Sequence, residues 1–196
     1  RHEETLHIPL LADEKVSGGT GLLSNQSNCP FKAFARNRLK AKGLDEFSYG
    51  LNSLVRGNAL HKALEEIGLQ LGDSKKLHSL SPSQAGELTT KGAEIAIDYL
   101  RKFRPETMTP AFSQLEQGRL TNLLEGFLLL EKQRSEFTIL HSEKSMTWQH
   151  SQLSLNLRID RIDQLIDGSV ALIDYKTGKF TNYKWFDDRP DDLQLP

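Results

Sequence analysis

The sequence has almost no cysteine, no long apolar run and almost no net charge, and each shortage excludes a class of protein. The single cysteine, Cys29, excludes an internal disulfide framework and suits a reducing cytoplasm. No run of about 18 apolar residues occurs and no signal-peptide pattern opens the chain, so we expect no membrane partner. The formal net charge of −1 excludes a general polyanion-binding surface, so any nucleic-acid contact must come from a local patch.

What is present suffices for one well-cored domain. The 196 residues are 37% hydrophobic and 26% charged, as in an ordinary soluble protein. The chain begins with Arg1, and Pro196 falls inside what reads as a continuing element, so we expect a piece of a larger polypeptide. A flexible segment is predicted for residues 1–23, with a glycine-rich linker at residues 17–21. The domain would follow over residues 24–196, mainly helical to residue 135 and a sheet core from residue 136.

Hydrophobic periodicity predicts four helices before the sheet. They begin at residues 27–28, near residue 51, at Ser81 with Pro82 in the first turn, and at Thr109 with Pro110. The last three are expected to end near residues 71, 103 and 137, with a polar connector over residues 72–81.

The first predicted helix combines an apolar stripe with a cluster of cations. Its buried stripe is expected to be Phe31, Phe34, Ala35 and Leu39. Residues 30–43 contain five cations and no acid, which favours phosphate contact, although such a run is also typical of a solvated helix face. With one cation from the second helix, the candidate DNA-binding residues are Lys32, Arg36, Arg38, Lys40 and Arg56.

Three strands are predicted after the helices, at residues 137–148, 152–166 and 170–178, with a hairpin signal at Asp167 and Gly168. The fold class is therefore mixed α/β, with a three-stranded antiparallel start to a central sheet, flanking helices and an N-terminal helical lobe. In the last strand, Val170 and Leu172 indicate that one face is covered. The apolar residues between and after them indicate that the other face is covered too, which predicts a central strand buried on both faces; these residues are Ala171, Ile173 and Tyr175.

The length of the hairpin loop decides which side chains share a face. A two-residue turn at residues 167–168 would send Asp160 and Asp174 to opposite faces of the sheet. A three-residue loop at residues 166–168, with glycine in the left-handed conformation, places the two aspartates opposite each other. We predict the second arrangement, in which Lys176 joins both carboxylates.

Two aspartates and a lysine on a covered face need a partner, because isolated buried charge costs several kcal/mol. Carboxylate oxygens suit Mg²⁺ or Mn²⁺, and a nearby lysine can orient water or stabilise developing negative charge. The alternative is a solvated strand end with an ordinary Asp-Lys ion pair.

Asp160 followed by Asp174-Tyr175-Lys176-Thr177-Gly178 resembles the signature of the PD-(D/E)xK nucleases in its RecB/AddB-type form, a restriction-endonuclease-like fold. The resemblance implies Asp160, Asp174 and Lys176 as catalytic residues. It implies a metal held by Asp160, Asp174 and the backbone carbonyl of Tyr175.

Other segments extend the resemblance. Arg56-Gly57-Asn58-Ala59-Leu60-His61 is similar to the RecB-type Gly-x-x-x-His segment, which implies that His61 is a further metal ligand; on the residues alone, a structural histidine would be preferred. Glu143 stands where many such nucleases carry a glutamate, but it reads equally well as a surface strand residue. Gln194 resembles the glutamine of a Gln-x-x-x-Tyr motif. Glu143 and Gln194 are accessory candidates.

Cys29-Pro30-Phe31 resembles the segment that holds the first iron–sulfur cysteine of AddB-type nucleases. One thiolate cannot hold a cluster, so no iron–sulfur cluster is expected within this chain and Cys29 is predicted to be a small buried residue.

Leu157 stands where the family favours glycine, just before Arg158-Ile159-Asp160. Aromatic residues and lysines at residues 179–185 suit either stacking on single-stranded DNA or packing over the sheet.

The resemblance implies a Mg²⁺- or Mn²⁺-dependent deoxyribonuclease, an exonuclease of cytoplasmic DNA repair or recombination. It implies a helicase-like module in the same polypeptide or in a partner subunit, and the sequence contains no helicase motif. The competing hypothesis is a non-catalytic DNA-binding or scaffolding domain that retains the fold. A weaker one is a metal-dependent ribonuclease.

Overall fold

A computed structural model of the chain describes residue 14 and residues 16–43 and 50–178. The chain divides into two compact units, each of which is described by itself. The first comprises residues 1–44, 145–158 and 181–196, and the second comprises residues 45–144 and 159–180. Helices and strands together confirm the predicted mixed α/β class, and the arrangement is consistent with a restriction-endonuclease-like core.

The first unit contains elements where the sequence predicted a flexible segment. Strand β1, Val16–Gly18, pairs in parallel with strand β3, Leu153–Leu165, so that Val16 lies opposite Leu153. Helix α1 spans Thr20–Asn28. The prediction of a linker at residues 17–21 is wrong because pairing with a distant strand overrides the local preference of glycine for turns.

Helix α2, Pro30–Ala33, continues directly into a π-helical turn, Phe34–Arg38. Because this turn departs from the period of 3.6 residues, the predicted apolar stripe does not form one face. Phe31 is 75% exposed and Leu39 is 63% exposed, whereas Ala33 is buried. Cys29 is exposed too, which corrects the prediction of a buried residue; it lies in extended backbone between α1 and α2.

Four helices form the core of the second unit. They are α3, Ser53–Leu71; α4, Ser74–Ser79; α5, Pro82–Phe103; and α6, Pro110–Glu131. Each begins at a side chain that accepts a hydrogen bond from a backbone N–H of the first turn, and these caps are Asn52, Asp73, Ser81 and Thr109. Helix α4 lies in the predicted polar connector, and α6 ends earlier than predicted.

Helix α5 packs against both α3 and α6. The core between them is built from leucine, isoleucine and alanine side chains, among them Ile67, Ile97 and Leu124. Gly92 permits the close approach, since a Cβ atom there would lie 3.2 Å from Ile67 and 3.3 Å from Leu124. Among the described helices none has the length and apolar character needed to cross a membrane.

Strand β3 hydrogen-bonds both to β2, Phe137–His150, and to β4, Val170–Ile173. In the second unit these strands form the predicted three-stranded antiparallel sheet. Arg161 lies opposite Ile173, and the Leu165 N–H donates to the carbonyl of Ser169 at 2.9 Å. Gly168 has φ of 83°, the left-handed conformation that a three-residue loop requires. The predicted register is therefore confirmed.

The prediction that the strand beside Asp174 is covered on both faces is wrong. Val170 is 56% exposed and Leu172 is 50% exposed. It is β3 that is buried on both faces, since Asp160, Arg161 and Asp163 are all buried. The sequence pattern of β3 and β4 is similar, but β4 ends after four residues, at Ile173.

Candidate metal centre

Three side chains from three different elements converge in the second unit. His61 lies on α3, Glu143 on β2 and Asp160 on β3, and one ligand atom from each lies within 4.8 Å of the others. The His61 Nδ1 atom is 3.3 Å from Asp160 Oδ1 and 3.7 Å from Glu143 Oε1. Both carboxylates are buried, with 8% and 6% of the Asp160 and Glu143 side chains exposed.

The orientation of His61 assigns different roles to its two nitrogens. Nε2 lies 3.1 Å from the backbone carbonyl oxygen of Tyr175. A carbonyl oxygen can only accept, so Nε2 carries the proton and Nδ1 faces the two carboxylates. A ligating histidine commonly donates its other N–H to such an acceptor. When the imidazole is protonated on both nitrogens, Nδ1 donates to Asp160; this hydrogen bond raises the pKa of His61, and burial opposes the shift.

Tyr175 holds both His61 and Asp160 through its backbone. Its N–H donates to Asp160 Oδ2 at 2.7 Å, while its carbonyl faces His61. Its ring meets the His61 ring edge to face at 6.0 Å and the Phe127 ring at 5.9 Å. Here the Tyr175 carbonyl, which the resemblance implies as a metal ligand, is the hydrogen-bond acceptor of His61.

Glu143 reaches the site through an unusual backbone conformation. Its φ is 53°, in the left-handed region that non-glycine residues rarely adopt inside a strand. The alternation of exposed and buried residues along β2 breaks at the same place, where Ser142 and Glu143, with backbone and side chain counted together, are both of intermediate exposure although the Glu143 side chain is buried. This pattern is typical of a β-bulge, which re-aims a side chain.

Asp174 lies one residue beyond β4, and continuing the register by one pair places it opposite Asp160. Its Oδ2 atom is 2.8 Å from the Lys176 ammonium. Among the residues that the structure describes, Asp174 does not join the group of His61, Glu143 and Asp160. The structure therefore brings together two neighbouring sets: the imidazole with two carboxylates, and Asp174 with Lys176.

The first set fits a divalent cation. Two buried carboxylates and one neutral imidazole carry a charge of −2, which a divalent ion offsets, and oxygen with nitrogen donors suits Mg²⁺, Mn²⁺ or Zn²⁺. Donors at about 2.1 Å from one ion lie about 3 Å apart when adjacent, so separations of 3.3 and 3.7 Å require only a small adjustment.

Glycines allow α3 to approach the strands that carry the acids. A Cβ atom at Gly57 would lie 3.3 Å from Thr177 Oγ1, just after Lys176, and one at Gly68 would lie 2.7 Å from Ser142 Oγ, just before Glu143. Gly57 lies one helical turn before His61 on the same side of α3.

The candidate DNA-binding residues differ in their surroundings. In the first unit Arg38 makes a bidentate ion pair with Glu14, at 2.6 and 2.7 Å, whereas Lys32, Arg36 and Lys40 are exposed. In the second unit Arg56 lies 3.8 Å from Glu116. Gln194 and residues 179–185 lie outside the described residues.

One group of buried charges was missed by sequence reasoning. It contains Glu131, Arg134, Arg161 and Asp163, and two of these follow Asp160 on the opposite face of β3. The sequence did contain a signal, because alternation along β3 places Arg161 and Asp163 on the face opposite Asp160. The sequence did not show that Glu131 and Arg134 would lie close enough to neutralise them.

The family model described as "PD-(D/E)XK nuclease superfamily" matches residues 23–196 of the chain. The search of curated proteins finds no match. The matched range includes His61, Glu143, Asp160, Asp174 and Lys176.

Proposed function

Because the chain belongs to the PD-(D/E)XK nuclease superfamily, we propose that it is a metal-dependent deoxyribonuclease that hydrolyses DNA phosphodiesters. The observation that carries this proposal is the convergence of His61, Glu143 and Asp160, two of them buried acids that need a compensating cation. Mg²⁺ is the proposed physiological ion, and Mn²⁺ is its experimental substitute.

His61, Asp160 and Glu143 are the metal ligands that the geometry supports best, with Asp174 as a further oxygen donor opposite Asp160. The Tyr175 carbonyl would fix His61 so that Nδ1 points at the ion, and the Tyr175 N–H would hold the Asp160 carboxylate. A bound divalent ion would polarise the scissile phosphate and lower the pKa of attacking water.

Lys176 is the proposed catalytic cation. Its ammonium would counter the negative charge that develops on the phosphoryl oxygens, and Asp174 holds it in place at 2.8 Å. With 45% of its side chain exposed, Lys176 remains accessible to a substrate.

Within the superfamily we propose the RecB/AddB type, an exonuclease of DNA repair or recombination in the cytoplasm that works with a helicase-like module. Gly57 and His61 support this assignment, because their spacing lets α3 approach Thr177 while presenting the imidazole. Exposed cations of the first unit, Lys32, Arg36 and Lys40, are the proposed phosphate contacts, together with Arg56.

The test is cleavage of linear and circular DNA with Mg²⁺, combined with a Mn²⁺ titration. We expect Lys176→Ala to lower kcat about 10²-fold or more, while Asp160→Asn weakens Mn²⁺ binding. Lys102→Ala, an exposed lysine of α5, is the matched control and should behave as wild type. Cleavage of linear DNA alone identifies an exonuclease. A wild-type chain that binds no Mn²⁺ and cuts neither DNA nor RNA, but still binds DNA, would instead be a non-catalytic DNA-binding domain.

A further inference from the structure

A buried network of two acids and two guanidinium groups lies on the face of β3 opposite Asp160. Arg161 makes a bidentate ion pair with Asp163, at 2.6 and 2.8 Å, and donates to Glu131 at 2.8 Å. Arg134 donates to Glu131 at 2.8 Å and to Asp163 at 2.9 Å, which closes a ring of four side chains. Both guanidinium groups lie 4.6 Å from the centre of the Phe137 ring.

Three of the four side chains of the network are buried: Arg161 is 2% exposed, Asp163 is 0% exposed and Glu131 is 7% exposed. The Arg134 side chain is half-buried. Buried ion pairs contribute little net stability, because desolvation offsets most of the attraction, and apolar side chains of similar volume often serve as well. Stability alone is therefore a weak explanation for four charges at this position. The residues beside the network, Asp160 and Tyr175, suggest a different role for it.

The network adjoins two backbone segments that carry groups of the candidate metal centre. Arg161 directly follows Asp160 along β3, so its position limits the movement of that carboxylate. Arg161 also pairs with Ile173 across the sheet, and alternation places the Tyr175 side chain on the same face as Arg161. There burial raises the pKa of the Tyr175 phenol, and the Arg161 guanidinium opposes this shift. The backbone of Tyr175 in turn donates its N–H to Asp160 and accepts from His61, so the network borders a residue that is hydrogen-bonded to two of the proposed ligands.

We propose that Glu131, Arg134, Arg161 and Asp163 form a positioning unit for the metal centre, which fixes Asp160 and Tyr175 from behind the sheet. The proposal rests on the proposed function, since it assigns the network to the same metal site. None of the four side chains touches the ion or the DNA. They act by limiting the positions of Asp160 and His61, so their loss should affect metal affinity first.

Helix α6 supplies a matched pair of variants for the test. Glu131 and Glu116 are both buried, at 7% and 4% exposure, and each pairs with an arginine three residues later. Each also faces a second arginine, Arg161 at 2.8 Å and Arg56 at 3.8 Å respectively. Of the two, Glu131 pairs with a residue of β3, the strand of Asp160, and Glu116 does not, so Glu116→Gln reproduces the loss of a buried acid without the link to that strand.

The experiment measures Mn²⁺ affinity by calorimetry and stability by urea unfolding without metal, in the whole chain. We expect Glu131→Gln and Glu116→Gln to lower the urea midpoint by similar amounts. Only Glu131→Gln should weaken Mn²⁺ binding, by about tenfold, as loss of a supporting partner commonly does. Tyr175→Phe, which keeps the ring but removes the phenolic oxygen, should also weaken it and serves if Glu131→Gln does not fold.

Equal Mn²⁺ affinity in wild type, Tyr175→Phe and any folded Glu131→Gln variant would overturn the positioning role while leaving the proposed function intact. Equal loss of affinity in Glu116→Gln and Glu131→Gln would overturn it too, because the effect would then be general destabilisation. Absence of Mn²⁺ binding in the wild type is a separate result, which overturns the proposed metal site and this inference with it.

Discussion

Deleting one residue beside the β3–β4 loop tests whether register controls the candidate site. Ser169, which pairs with Leu165, is exposed, so deleting it removes little buried surface. With the three-residue loop at residues 166–168 kept, Leu165 then pairs with Val170. In that register Tyr175 lies opposite Asp160, and Asp160 and Asp174 lie on opposite faces of the sheet.

The cost of the deletion follows from the contacts that depend on register. The hydrogen bond from the Tyr175 N–H to the Asp160 carboxylate is lost, and bonds to charged groups contribute about 1.5–3 kcal/mol. The Tyr175 ring also leaves its packing against the core, and burial of a large apolar side chain contributes about 1.5–3 kcal/mol. We therefore expect the free energy of unfolding to fall by about 3 kcal/mol or more. We also expect Mn²⁺ affinity to fall about tenfold or more, as it commonly does when a supporting contact of a metal ligand is lost.

An insertion of two residues after Asp167 is the matched control, because it leaves Leu165 and Ser169 as the pair that closes the loop and so keeps the native register. Loop-closure entropy predicts a cost of only about 0.5 kcal/mol, with Mn²⁺ affinity unchanged. Urea unfolding and calorimetry measure both quantities. The reasoning would be refuted by a deletion variant that keeps wild-type Mn²⁺ affinity, or by an insertion variant that loses as much affinity as the deletion.

Two further predictions concern His61 and the helical core. The folded-state pKa of His61 is raised, so its contribution to stability is full below the unfolded pKa of about 6.5 and is lost as pH rises through the higher folded pKa. Urea unfolding in EDTA should therefore show that His61→Gln destabilises the chain more at acidic than at alkaline pH. An equal loss of stability at both pH values would contradict this. Leu120→Ala, at a fully buried position, should lower the free energy of unfolding by about 2–5 kcal/mol. Leu115→Ala, at 74% exposure, should leave it within about 0.5 kcal/mol of wild type. Similar losses in the two variants would contradict the assigned core.

The parts of the fold that could be predicted are those whose cause is local. Ser81 and Pro82 define the start of α5, because the serine caps the first turn and proline needs no hydrogen bond there. The loop at Gly168 could be predicted because only a left-handed residue completes it. By contrast, β1 depends on Leu153 and its neighbours in a distant strand, which no local pattern reveals.

The candidate site could be predicted in part for the same reason. The position of Asp174 opposite Asp160 follows from loop length, and Lys176 follows by alternation. The orientation of His61 towards Asp160 depends on how α3 packs, which the sequence alone does not specify. The closeness of Glu143 depends on a break in strand alternation, so the pattern of β2 could only indicate a candidate.

The left-handed backbone conformation at Glu143 lowers the stability of the fold while it places a proposed metal ligand. An ordinary side chain in that conformation costs about 1–2 kcal/mol, and glycine would remove most of this cost. A library screened for heat resistance alone should therefore enrich Glu143→Gly. The selected variants should unfold at a higher temperature and bind the metal ion more weakly.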